Sequence, residues 1–68
     1  MASGNQGDPR EVYFEFIAIG GAVKVVAIDV ETGTEISVTA PAGAAKSDLQ
    51  QLALGKLKAR LARERPKP

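Results

Sequence analysis

Between Val23 and Val30 the chain reads Val-Lys-Val-Val-Ala-Ile-Asp-Val, apolar on both of its alternating faces. Successive side chains of a strand point to opposite sides, so Val23, Val25 and Ala27 make one surface and Val26, Ile28 and Val30 the other. A strand of that kind belongs in the middle of a sheet and needs cover on each side. Its neighbours alternate in the same period. Residues 11–19 set Val12, Phe14, Phe16 and Ala18 against Tyr13, Glu15, Ile17 and Ile19, and residues 34–40 set Ile36 and Val38 against Glu35, Ser37 and Thr39. The period of two predicts strands at about 11–19, 22–29 and 34–40.

Turn chemistry joins these strands in sequence. Gly20-Gly21 supplies the positive φ of a two-residue hairpin, which pairs Ile19 with Ala22, Phe16 with Val25 and Phe14 with Ala27. Val30-Glu31-Thr32-Gly33 suits a four-residue loop on a type I turn, with Gly33 left-handed at its end, so that Asp29 faces Thr34. Continued, this register sets Ala27 opposite Ile36 and Val25 opposite Val38, on the face that already holds Phe14 and Phe16. Two turns and one alternation agree on a meander ordered 1-2-3.

Pro41-Ala42-Gly43 ends the sheet, and Ser47-Asp48-Leu49-Gln50 has the form of a capping box. A helix is expected over about 46–63, ending before Pro66. Leu49, Leu52 and Ala53 centre its apolar face early, whereas Leu54, Leu57 and Leu61 turn that face by roughly a quarter turn. Lys56, Arg60 and Arg63 continue the stripe of Leu49 and Leu52. Gly55 lies outside the apolar arc and weakens the helix by about 1 kcal/mol relative to Ala. Nothing in the sequence explains it. The fold class is α+β: a three-stranded antiparallel meander with one C-terminal helix packed on one face, β-β-β-α. A single domain at 11–64 is expected between a polar tail at 1–10 and a short one at 65–68, both without periodicity and read as disordered.

Composition narrows the functional classes. A chain of 68 residues builds a small core that usually needs a supplement, and without Cys or His it has neither disulfides nor the usual zinc ligands. Oligomerisation is the remaining supplement. The first residues lack the basic and apolar regions of a secretory signal, and no apolar run approaches the ~20 residues of a membrane helix, so a cytoplasmic protein without membrane contact is expected. The formal charge of +1 divides unevenly. Residues 55–68 hold six cations against Glu64, a net +5, which leaves the first fifty-four residues at −4.

Candidate chemistry is sparse. Asp29, Glu31 and Glu35 alternate around Gly33 as in a calcium loop, yet an EF-hand loop has twelve residues between helices, whereas this run is a hairpin. Gly20-Gly21 feeds a strand rather than a helix N-terminus, which makes it a poor phosphate cradle. Ser37 and Lys24 are diagonal neighbours without an orienting partner, and Glu15 beside Lys24 reads as a cross-strand charge pair. No catalytic, cofactor-binding or metal-binding residue is assigned, no cofactor is expected, and the chain is read as a non-enzyme. Lys56, Arg60 and Arg63 form a basic stripe that could meet phosphates, although cations at a helix C-terminus also follow from the macrodipole and no aromatics accompany them.

The segments Glu11-Val-Tyr-Phe-Glu-Phe, Gly21-Ala-Val-Lys-Val-Val-Ala-Ile-Asp-Val-Glu-Thr-Gly-Thr-Glu-Ile and Ala40-Pro-Ala-Gly resemble a family of short uncharacterised alphaproteobacterial proteins, a domain of unknown function. The likeness spans about residues 10–62. Its motifs are strands and turns, so it implies a β-β-β-α fold and carries no functional residue over.

One helix covers one face of a sheet. Tyr13, Ile17, Ile19, Val26 and Ile28 are left on the other, and the first strand is an apolar edge. A homodimer is therefore expected, acting as a protein-interaction or structural module, with Leu54, Leu57 and Leu61 also meeting the partner. The two copies either pair their first strands to extend the sheet or pack their surplus apolar faces together, and an exchange of the helix would hinge at Ala40-Pro41-Ala42-Gly43, with a swap through Gly20-Gly21 the less favoured route. The partner is a second copy of the chain, with another protein also allowed. The competing readings are a monomer and a nucleic-acid binder using Lys56, Arg60 and Arg63.

Overall fold

A computed structural model describes residues 11–64, and the two expected tails lie outside the described residues. The strands are β1 (Val12–Ile19), β2 (Ala22–Asp29) and β3 (Glu35–Pro41), followed by one helix, α1 (Lys46–Glu64). They form an antiparallel sheet in the order β1-β2-β3, with the helix packed on one side. The expected register is realised in full: Ile19 opposes Ala22, Phe16 opposes Val25 and Phe14 opposes Ala27, while Val25 opposes Val38 and Ala27 opposes Ile36.

Turn geometry accounts for that register. Of the two glycines in the first hairpin only Gly20 has a positive φ, at 58°, which is the sign pattern of a type II′ turn rather than the double left-handed I′ turn. Gly33 takes φ 77° at the end of the second loop, where its amide donates to the Asp29 carbonyl at 2.8 Å and the Asp29 amide donates to Thr34 O at 2.8 Å. Asp29 does more than face Thr34. Its Oδ2 accepts the Thr32 amide at 3.0 Å and the Thr32 hydroxyl at 2.7 Å, closing the loop from inside, and the residue is fully buried. Val30 stands exposed in the turn, as the expected four-residue loop places it, and adds nothing to the strand face of Val26 and Ile28.

Val25, Ala27 and Val38 form the floor of the core, with Leu49, Ala53 and Leu57 above them. The helix rests on β2 and β3. Phe14 and Phe16 on β1 flank the core and remain only partly buried, and the Lys46 ammonium lies 5.6 Å from the centre of the Phe16 ring.

The capping box does not form as expected. The Leu49 amide donates to Ala45 O at 3.1 Å, so the helix begins at Lys46 and Ser47 lies inside its first turn. Ala44 packs against the core and its amide donates to Pro41 O at 3.0 Å, which starts the turn before Ser47 can cap it. Asp48 in the first turn and Arg63 in the last complement the helix dipole.

Candidate functional site

The sheet face away from α1 is built from the odd positions of β1 and the even positions of β2. Tyr13 lies beside Ile28, Glu15 beside Val26, Ile17 beside Lys24 and Ile19 beside Ala22. Its third row, from β3, is polar: Glu35, Ser37 and Thr39 oppose Ile28, Val26 and Lys24. Apolar surface therefore gathers on one half of the face. Tyr13, Ile17 and Ile19 are 56%, 40% and 55% exposed, whereas Val26 is buried among its neighbours and Ile28 is half-buried. A central strand has side chains on every side of it, and that shields Val26 without any second layer.

The hydrogen-bond parity of the ladder determines which backbone groups are left at the edges. The Val30 amide donates to Glu11 O at 3.1 Å, and the Ala42 amide donates to Gly21 O at 3.0 Å. In an antiparallel pair, residues alternate between groups aimed at the partner and groups aimed away. Odd positions of β1 thus bond to β2, while Val12, Phe14, Phe16 and Ala18 turn their N–H and C=O outward. On β3 the outward positions are Glu35, Ser37, Thr39 and Pro41. The two edges differ in kind: β3 has the helix over it, a charge, polar side chains and a proline without an amide, all devices that discourage strand addition, and β1 has only Glu15 within its span.

The helix residues expected at a partner divide. Leu57 is fully enclosed against its own sheet and Leu61 is partly buried at the margin of the same core, so neither faces outward. Leu54 is half-buried. The reason is the rotation of the helix. With Leu49, Ala53 and Leu57 on the sheet, the contact centres near Ala53, and at about 100° per residue Leu52 and Leu54 fall roughly 100° to either side. Leu52, expected at the centre of the face, is instead 54% exposed.

Of the basic stripe, Lys56 and Arg63 are exposed, and Arg60 is half-buried with its Nε 3.2 Å from Glu64 Oε2. Ser37 and Lys24 are diagonal neighbours on the outer face, as expected from the register. Asp29 is engaged by Thr32 within the loop, and no group of three or more potential metal ligands occurs among the described residues. No helix among them is long and apolar enough to cross a membrane. The edge position of β1 is as expected, and its parity, which decides which backbone groups face outward, follows from the register. One feature escaped sequence reasoning: the Asp29 loop closure, signalled by Asp with Thr three residues on and Gly four residues on.

Residues 9–64 match the family described as a domain of unknown function (DUF6898). No curated protein and no solved structure matches the chain.

Proposed function

The chain belongs to the DUF6898 family, and from that premise we propose that it is a non-catalytic module that works as a homodimer, in a structural or protein-interaction role. One observation carries the reading: among the described residues nothing pairs with the outer edge of β1, which also exposes Tyr13, Ile17 and Ile19 on the outer face. A small domain that leaves this much apolar surface gains from covering it with a second copy. The interface we assign to that copy is β1 with Tyr13, Ile17 and Ile19, flanked by the half-buried Ile28; Val26 is already buried, and Leu54 lies on the helix side of the sheet. Leu57 and Leu61 support it only through the core.

Segment exchange is the less favoured form. The connection after β3 is tied back by the bond from Ala42 to Gly21, and α1 already packs on its own sheet. Nucleic-acid binding through Lys56, Arg60 and Arg63 is the alternative, weakened by the pairing of Arg60 with Glu64. A cytoplasmic setting is part of the proposal, and a bacterial one rests on the resemblance alone.

Sedimentation equilibrium of the full chain from micromolar to millimolar concentration tests the reading. A monomer–dimer equilibrium is expected, and a monomer throughout refutes it. Titration with single-stranded and duplex oligonucleotides at two salt concentrations separates the alternative, because phosphate contacts weaken steeply as salt rises.

A further inference from the structure

We propose that two copies join edge to edge through β1, antiparallel, with the twofold axis at Phe16, to make one continuous six-stranded sheet with both helices on the same side. The proposal rests on the homodimer reading above and specifies how the second copy binds.

Parity restricts the choice of register. An added antiparallel strand must bond to Val12, Phe14, Phe16 and Ala18, since only these turn their backbone groups outward. Under a twofold axis the paired residue numbers have a constant sum, and even residues must pair with even ones. The axis then falls on a residue of β1, and the positions near the middle of the strand are Phe14, Glu15, Phe16 and Ile17.

Side-chain chemistry chooses among them. An axis at Glu15 sets that carboxylate directly opposite its own copy at the close, non-hydrogen-bonded spacing of about 4.5 Å, where like charges repel. An axis at Phe14 leaves Ile19 beyond the end of the paired strand, and Tyr13 meets Glu15 of the second copy. An axis at Ile17 sets Tyr13 opposite Gly21, past the hairpin turn and without a side chain to meet. An axis at Phe16 pairs Tyr13 with Ile19 and Glu15 with Ile17 on the outer face. On the helix side it pairs Phe14 with Ala18 and Phe16 with its own copy. All three exposed apolar residues of β1 then lie within the paired segment, and the large Phe14 meets the small Ala18.

The second copy is favoured as occupant for a further reason. α1 lies over β2 and β3, so the half-buried faces of Phe14 and Phe16 come to the seam, where the symmetry-related Phe pair extends the cover. The opposite edge does not invite the same pairing, because Pro41 offers no amide and Glu35 puts charge there.

Backbone amide exchange by NMR on the full chain, at concentrations where sedimentation reports a dimer, tests the proposal. The amides of Phe14, Phe16 and Ala18 are expected to be protected, and those of Ser37 and Thr39 to exchange freely. In a mixed-label sample, an NOE between Glu15 Hα and Ile17 Hα of the other copy identifies the register, since only facing residues of a non-hydrogen-bonded pair bring their Hα atoms together. Ala18→Pro removes an outward amide that the intrachain ladder does not use. It is expected to retain the monomer fold and to raise the dimer dissociation constant by about tenfold or more. A dimer whose β1 edge amides exchange freely overturns edge pairing while leaving the homodimer intact. A Glu15–Glu15 contact overturns the register. Protected edge amides in a monomer overturn the proposal and the homodimer together, because the chain then covers its own edge.

Discussion

Leu57 and Leu52 provide a direct test of how α1 is seated. Both are helical leucines five residues apart, yet Leu57 is 0% exposed against Val25, Ala27 and Val38, whereas Leu52 is 54% exposed. Truncating a buried leucine to alanine removes its transfer free energy and leaves a cavity, together about 2–5 kcal/mol. Truncating Leu52 forfeits less than half of the roughly 1.5–3 kcal/mol that full burial of a leucine contributes, and alanine's better helix propensity offsets part of that, so about 0–1 kcal/mol is expected. A domain of this size has only on the order of 3–8 kcal/mol in total. Leu57→Ala should therefore take away most of the stability and Leu52→Ala little. Urea unfolding followed by circular dichroism measures both, with protein concentration held fixed because any dimer shifts the midpoint by mass action. Equal losses, or a larger loss at Leu52, would refute the helix rotation described here and return the apolar face to the Leu49–Leu52 stripe.

The glycines supply two backbone predictions. Gly55 is helical, has no positive φ, and a Cβ built on it meets nothing within 4 Å; Gly55→Ala should stabilise the protein by about 1 kcal/mol, seen as a rise of about 4–8 °C in Tm by calorimetry. Gly33 has the same open surroundings but a φ of 77°, so Gly33→Ala should cost about 1–2 kcal/mol in urea unfolding, while Gly43→Ala, without a positive φ, should be close to neutral.

Gly55 remains without a structural account: it permits no close approach and supplies no turn. Its neighbours on the helix are exposed or half-buried, so the stability that alanine would add is not withheld by packing.

What the sequence determined by itself is the sheet. Strand pairing depends on a period of two and on turns whose φ signs are local properties of Gly20 and Gly33, so Phe16 opposite Val25 and Val25 opposite Val38 follow from the order of residues alone. The existence of the helix was legible for the same reason, through its periodicity and the breaking residues around it. Its start near residue 46 was legible as well, but its capping and its rotation were not. Ser47 has the right spacing for a cap, but Ala44 packing on the core and the Ala44–Pro41 bond begin the turn earlier, and those contacts join residues whose positions depend on the finished sheet. The helix offers leucines over a wide arc, so several rotations bury similar apolar area. Only the shape of the floor made by Val25, Ala27 and Val38 selects Leu49, Ala53 and Leu57, leaves Leu52 in water, and places the helix over β2 and β3 rather than β1.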